Sequence, residues 1–176
     1  MVDANFLITY DPAHKDKAVE EASMILKEVK EIPKFYESGV QGVLLTKLAN
    51  DPRLILKRLS SYCKKNTGKA YFTKRWIPIE RWCTSDIEEL GKIVKEFGRR
   101  IDSKKKWRME ISKRSYEKHA VIDMIMRLTE HVHNTNVDLK NPDLIVKIEI
   151  LGRKAGVSLL EKHEIFDTAF YLGQNN

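Results

Sequence analysis

Residues 71–90 read YFTKRWIPIERWCTSDIEEL and mark the point where one folding unit ends and another begins. The aromatic and β-branched residues at the start are typical of a strand, which Pro78 interrupts. Ser85 then opens the pattern SDIE, which predicts a capping box in which the serine hydroxyl caps a new helix. The stretch therefore divides the chain into two halves, and Lys74 and Arg75 lie just before the division.

The residues before the division follow a βαββαβ order. Asp-Pro pairs at 11–12 and 51–52 each place an N-cap before a first-turn proline, so helices are predicted from 12 to about 30 and from 52 to 65. Strand-like runs at 5–10, 34–38 and 40–48 alternate with them. Two helices on one face of a four-stranded antiparallel sheet give a ferredoxin-like domain over residues 1–83. The second helix is predicted to face the core with Leu54, Ile55, Leu59 and Tyr62.

The residues after the division are predicted to follow the order α-β-α-β-β. A strand at 107–112 alternates apolar and polar residues, and two strands at 144–151 and 155–160 meet over Gly152-Arg153-Lys154. The helix between the strands at 107–112 and 144–151 is predicted to face the core with Ile122, Ile125, Thr129 and Val132. The fold class is therefore α+β, with a second domain at 84–160 and a loosely docked C-terminal tail at 161–176.

The positive charge is concentrated in two segments. The chain carries a net charge of +7, yet residues 57–81 hold eight cations and only one acid, and residues 99–118 hold nine cations and three acids. The rest of the chain is net negative. Such segregation favours a surface that binds a polyanion over uniform solubilising charge.

No motif of a catalytic or cofactor site is present. The sequence lacks GxxxxGK[ST], GxGxxG, GxSxG and HExxH, so we expect no cofactor and no catalytic residues. His131 and His133 lack a third ligand, so we expect no metal. Cys63 and Cys83 are predicted to be reduced, partly buried residues, and Trp76, Trp82 and Trp107 to bury their rings. No apolar run is long enough to span a membrane and the start lacks a signal peptide, which predicts a cytoplasmic protein.

The segment NVDLKNPDLIVKIEILGRKAGVSLL at residues 136–160 resembles the closing part of a THUMP domain. The α-β-α-β-β order, a Lys-Arg pair after the strand at 107–112 and a preceding ferredoxin-like unit are similar to the same family. The resemblance covers 84–160 well and 1–83 in layout. It implies an RNA-binding module found in enzymes that modify tRNA, placed against the acceptor stem and 3′ end and reading shape and phosphates more than sequence.

Most members of this family carry a catalytic domain in the same chain. This sequence ends about 16 residues after the last THUMP strand, and FTKRWIPI resembles the linking segment of the stand-alone tRNA acetylation adaptors. The resemblance implies a non-catalytic tRNA-binding adaptor that presents tRNA to a separate RNA cytidine acetyltransferase, which forms N4-acetylcytidine. The alternatives are a general RNA-binding protein, a recognition subunit for tRNA methylation or thiolation, and an RNA-modifying enzyme with an unrecognised site.

The candidate RNA contacts come from both basic segments and from the matched motif. Lys113 and Arg114 are expected in a loop that enters a helix, and their joint removal is expected to weaken RNA binding while leaving stability nearly unchanged. In the first domain we expect Arg75, more than Lys74, to face the ligand, since successive strand residues point to opposite faces. The full set is Lys64, Lys65, Lys74, Arg75, Lys105, Lys106, Arg108, Lys113, Arg114, Lys140, Asn141, Arg153 and Lys154.

Overall fold

The computed structural model of the chain describes residues 4–66 and 68–172. Within these ranges the chain forms two compact units. Residues 4–78 and 164–172 make the first unit, and residues 79–163 make the second. The division falls five residues before the expected position because residues 81–84 pair as a strand of the second unit's sheet.

The first unit has the predicted βαββαβ order. Its sheet runs β2-β3-β1-β4 with antiparallel neighbours, and the helices pack on one face, so the ferredoxin-like arrangement is confirmed. The elements are β1 (Phe6–Tyr10), α1 (Lys15–Glu28), β2 (Lys34–Glu37), β3 (Val43–Lys47), α2 (Pro52–Lys65) and β4 (Thr73–Pro78). A short 3-10 turn, Pro12–His14, precedes α1 and is capped by Asp11.

Helix α2 has the predicted ends but a slightly rotated core face. The Asp51 carboxylate accepts from the Arg53 amide at 2.8 Å, which fixes the start of the helix. Ile55 and Leu59 are fully buried as expected, whereas Leu54 is 43% exposed. Leu56 is buried in its place, because the helix turns its apolar stripe toward the sheet with Leu56 inside and Leu54 at the edge.

The residues after 163 are part of the first unit, whereas the sequence predicted a loosely docked tail at 161–176. A two-residue strand, β9 (Phe166–Asp167), pairs antiparallel with β4, and α5 (Ala169–Leu172) follows it. Phe166 is buried and stacks on Tyr171 with the ring centroids 5.1 Å apart. Two strand residues are too few to give a periodic pattern, which is why the sequence carried no sign of them. Residues 173–176 lie outside the described part of the chain.

The second unit contains the predicted α-β-α-β-β order with one strand added in front. The sheet order is β5-β8-β7-β6, in which β6 and β7 are parallel and the other pairs antiparallel. The elements are β5 (Arg81–Thr84), α3 (Ile87–Gly98), β6 (Trp107–Arg114), α4 (Val121–Thr129), β7 (Leu144–Leu151) and β8 (Lys154–Glu161).

Helix α4 buries a face that overlaps the predicted one only in part. Met124 and Leu128 are fully buried, and Ile125 packs against the same core as predicted, whereas Ile122 is 62% exposed. Val132, just beyond the helix, is buried as predicted. The apolar residues of this helix lie on both sides, so periodicity alone did not select the side that packs on the sheet. No helix within 4–66 and 68–172 combines the length and apolar character that a membrane crossing requires.

Candidate nucleic-acid interface

The parallel pairing of β6 and β7 sorts the predicted contacts of the second unit into two groups. Because parallel strands start at one edge and end at the other, residues before the two strands meet at one edge and residues after them at the opposite edge. The eight-residue strands separate these edges by about 23 Å. We call Lys113, Arg114, Arg153 and Lys154 the carboxyl-end group, and Lys105, Lys106, Arg108, Lys140 and Asn141 the amino-end group.

Hydrogen bonds join the segments that carry the carboxyl-end group. The Gly152 amide, in the turn between β7 and β8, donates to the Arg114 carbonyl at 2.8 Å. The ammonium of Lys113 donates to the His119 carbonyl at 2.9 Å, which ties β6 to the segment before α4. Arg153 and Lys154 are exposed at the turn, and their side chains have no partner among residues 4–66 and 68–172. Both side chains can therefore bind a ligand without breaking a contact inside the protein.

Lys113 and Arg114 do not lie in a loop, as the sequence predicted, but form the last two positions of β6. They pair with Ile150 and Leu151 of β7, so their backbone amides belong to the sheet. The Arg114 guanidinium lies 2.9 Å from the Glu149 carboxylate, and the Glu149 side chain is only 2% exposed. Arg114 thus balances a buried charge as well as presenting part of its guanidinium to solvent.

The helix that starts beside the carboxyl-end group offers a second kind of anion contact. Helix α4 begins after Ala120, which has no side-chain acceptor for the amides of the first turn. These amides favour an anion, since helix N-termini carry unpaired N–H groups and partial positive charge. The segment at 115–120 also carries the exposed Lys118, which sequence reasoning counted in a basic segment but did not select. The position of Lys118 just before the start of α4 is the sequence feature that could have identified it as a candidate contact.

Helix α3 starts differently, because its amides already have an acceptor. Asp86, and not Ser85 as predicted, is the N-cap, and its carboxylate accepts from the Glu88 and Glu89 amides at 3.0 and 3.2 Å. The Ser85 hydroxyl instead donates to the Gly152 carbonyl at 2.8 Å. Since three carboxylates lie at this helix start and one, Asp123, lies in the first turn of α4, α4 is the better phosphate acceptor of the two.

At the amino end, the motif DLKNPD at residues 138–143 acts as a clamp between two loops. The Asp138 carboxylate accepts from the Lys140 and Asn141 amides at 3.0 and 2.9 Å and from the Lys106 ammonium at 2.9 Å. Asp143 accepts from the Lys106 amide at 2.8 Å. The Asn141 amide, the Lys106 ammonium and the Lys140 amide together lower the pKa of Asp138 to about 2. The motif therefore has a structural role that explains its residues without RNA.

The cations of the amino-end group are unequally available. Lys106 is paired with Asp138, and the Arg108 guanidinium donates to the Leu139 carbonyl at 2.6 Å and contacts Glu110. Lys105 and Lys140 are exposed, and their ammonium groups have no partner in the described ranges. Two of the predicted contacts at this end are thus held inside the unit, and two project into solvent.

In the first unit, the expected alternation at Lys74 and Arg75 is interrupted. Both side chains are exposed. The pairing of β1 with β4 shifts register between Ile8 and Tyr10, and such an irregularity interrupts the alternation of side chains along β4. At this point the Arg75 amide donates to the Thr9 hydroxyl. The Arg75 guanidinium is engaged by Asp167 of β9 at 3.2 Å. Lys74, which the sequence favoured less, has no side-chain partner among the described residues.

Lys64 and Lys65 occupy the last turn of α2, where cations favourably meet the helix dipole. Lys65 also lines an open groove of about 550 Å³ between the end of α1 and α2, together with Lys57 and Arg58. This groove is basic, but the Arg58 guanidinium already donates to the Val29 carbonyl at 3.4 Å. The favourable interaction of Lys64 and Lys65 with the helix dipole therefore explains part of this positive charge without RNA.

The remaining candidate residues have structural roles. Trp76 and Trp107 are buried, as predicted, and Trp82 is half-buried. Cys63 and Cys83 are free thiols, and burial raises their pKa values to about 11 and about 12, which favours the protonated thiol. Among residues 4–66 and 68–172, no three His, Cys, Asp or Glu side chains form a group that could hold a metal ion.

Residues 85–160 match the THUMP domain. Three solved structures resemble the fold of the chain. PH1313 from Pyrococcus horikoshii OT3 has a TM-score of 0.63 at 14% identity, over 90% of this chain and 55% of that one. A 4-thiouridine synthetase, solved as an RNA complex with bound ATP, has a TM-score of 0.52 at 13% identity, over 91% and 42%. A protein described as a predicted N6-adenine-specific DNA methylase, from Listeria monocytogenes, has a TM-score of 0.55 at 10% identity, over 89% and 40%.

These likenesses concern the fold alone, because the sequence identities are low. The chain spans about half the length of each of the three solved proteins. None of the curated proteins matches the sequence significantly.

Proposed function

Because the chain contains a THUMP domain at residues 85–160, we propose that it binds tRNA and serves tRNA modification. The observation that carries this proposal is the domain match, which coincides with one compact unit and with one of the two basic segments. A 4-thiouridine synthetase of similar fold is solved as an RNA complex, which supports RNA as the ligand class. The acceptor stem and 3′ end are the proposed contact region of the tRNA.

The carboxyl-end group is the proposed contact surface on the second unit. Arg153 and Lys154 present charges that no described residue neutralises, and Lys113 and Arg114 end the neighbouring strand. The uncapped start of α4 adds backbone amides directed at the same edge. Such a surface binds phosphate oxygens, which gives affinity and register but little sequence discrimination.

The chain is proposed to act as a non-catalytic adaptor for a separate RNA cytidine acetyltransferase. The resemblance of FTKRWIPI to the linking segment of stand-alone acetylation adaptors supports this choice. In this role the chain holds the tRNA, and the partner enzyme transfers an acetyl group from acetyl-CoA to the exocyclic amine of a cytidine, with release of CoA. A recognition role in thiolation or methylation is the second candidate, favoured by the names of two proteins of similar fold.

Two experiments test these proposals. In the first, labelled tRNA bound to the full chain is competed with intact tRNA, a mini-helix lacking the 3′ end, and duplex RNA. The adaptor proposal expects intact tRNA to compete far better than the other two, and equal competition by all three would indicate general RNA binding.

In the second experiment, tRNA from a strain lacking the protein is mapped for modified nucleotides. Loss of N4-acetylcytidine supports the acetylation role. Loss of a thiolated or methylated nucleotide instead would show that the chain serves tRNA thiolation or methylation.

A further inference from the structure

An exposed aromatic surface on the first unit lies outside the contacts considered so far. It borders an open groove of about 510 Å³ between helix α1 and the segment before β4. Tyr71 is 67% exposed, and its ring meets that of Phe72 edge to face, with centroids 5.3 Å apart. Met24, 44% exposed, lines the groove from α1. We call Tyr71 and Phe72 the aromatic platform.

A buried carboxylate holds the aromatic platform in place. Glu21 of α1 is 6% exposed and accepts hydrogen bonds from the Tyr71, Phe72 and Thr73 amides at 2.6 to 2.8 Å. It also accepts from the Thr73 hydroxyl at 2.7 Å. Four hydrogen bonds to one carboxyl group fix the backbone that carries Tyr71 against the helix. A ligand that stacks on the ring therefore meets a surface that is already ordered, which lowers the entropic cost of binding.

The charges around the aromatic platform fit an RNA chain better than an apolar peptide. Lys17 places its ammonium 5.3 Å from the centroid of the Phe72 ring, and Lys69 lines the groove on the other side. Glu20 lies at the same rim and is an acceptor for exocyclic amines of bases. Exposed aromatic rings flanked by lysines are the arrangement with which proteins stack unpaired bases and hold their phosphates.

We propose that the aromatic platform stacks one unpaired base of the bound RNA, with Tyr71 as the stacking ring. This inference rests on the proposed RNA-binding function and adds a contact of a different chemical kind to it. Stacking involves no phosphate, so its loss lowers affinity without changing how steeply affinity falls with salt. That property separates it from the contacts of the carboxyl-end group.

The test compares tRNA affinities of the full chain and three variants over a range of salt concentrations. Tyr71→Ala is expected to weaken binding about tenfold, with an unchanged slope of log affinity against log salt. Tyr71→Phe keeps the ring and is expected to bind within about twofold of the wild type. Phe170→Ala, which removes another exposed ring of the first unit, is the matched control and is expected to leave affinity unchanged. The thermal midpoints of the variants verify that each remains folded.

The outcomes distinguish this inference from the proposed function. If the wild type binds tRNA and Tyr71→Ala binds equally well, the inference is overturned alone, and the aromatic platform is left for a protein partner. Equal weakening by Phe170→Ala also overturns it. If the wild type fails to bind tRNA, both the proposed function and the inference are overturned.

Discussion

The Arg114 guanidinium lies 2.9 Å from the carboxylate of Glu149, a side chain that is only 2% exposed. The ammonium of Lys147, itself 5% exposed, contacts the same carboxylate at 3.1 Å. A buried carboxylate with two cationic partners is a structural element of the sheet. The expectation that Lys113 and Arg114 can be removed together without loss of stability therefore does not fit Arg114.

Arg114→Ala is expected to lower the free energy of unfolding by about 1 to 3 kcal/mol, because among the described residues Glu149 then keeps Lys147 alone as a charged partner. Urea denaturation measures this change. Lys113→Ala is the matched control, since its ammonium donates to the His119 carbonyl and forms no ion pair within residues 4–66 and 68–172, and its expected loss is below about 1 kcal/mol. Equal stability of Arg114→Ala and wild type would show that Arg114 does not balance Glu149.

Glu21→Ala is expected to destabilise the first unit by about 2 to 4 kcal/mol, since three backbone amides and one hydroxyl lose their common acceptor. Glu21→Gln keeps one acceptor oxygen and should lose about half as much. Glu20→Ala, on the exposed side of the same helical turn, should stay within about 0.5 kcal/mol of wild type. Chemical denaturation of the three variants checks this order, and similar losses for Glu20 and Glu21 would contradict the role of the Glu21 carboxylate as the common acceptor.

The Asp138 clamp predicts a specific dependence of stability on pH. The folded-state pKa of Asp138, about 2, lies below its ordinary value of 3.8, so its contribution is complete above about pH 4 and is lost as the pH falls through 2. Asp138→Asn keeps the turn acceptor but removes the charge that pairs with Lys106. The thermal midpoint of the wild type is expected to exceed that of Asp138→Asn above pH 4, and the difference should shrink between pH 4 and pH 2. A difference that is constant with pH would contradict this role.

The sequence predicted best what local chemistry determines. Asp51 and Pro52 fixed the start of α2, and the alternation after Trp107 identified β6 and its buried side. The cap of α3 was misassigned by one residue because the Ser85 hydroxyl is taken by Gly152, 67 residues away. A contact at that separation leaves no local pattern, so Asp86 was not recognised as the cap.

The candidate site was predicted as a set of cations but not as a geometry. The parallel pairing of β6 with β7 decides which loops meet, and it separates Lys105 and Lys140 from Arg153 and Lys154. The ion pairs that occupy Lys106 and Arg114 depend on carboxylates distant in sequence. Composition identifies basic segments, but only tertiary structure shows which of their charges remain for a ligand.

We attribute RNA binding by the second unit to phosphate contacts with the carboxyl-end group. The most direct test is the salt dependence of tRNA affinity for the Arg153→Ala, Lys154→Ala double variant. The matched control is Lys105→Ala with Lys140→Ala, which removes two exposed cations from the opposite edge. The carboxyl-end variant is predicted to bind at least tenfold more weakly, with a salt slope reduced by about 1.4 to 1.8, while the control stays within about threefold of wild type. Equal effects of the two variants, or an unchanged slope for the first, would contradict the claim.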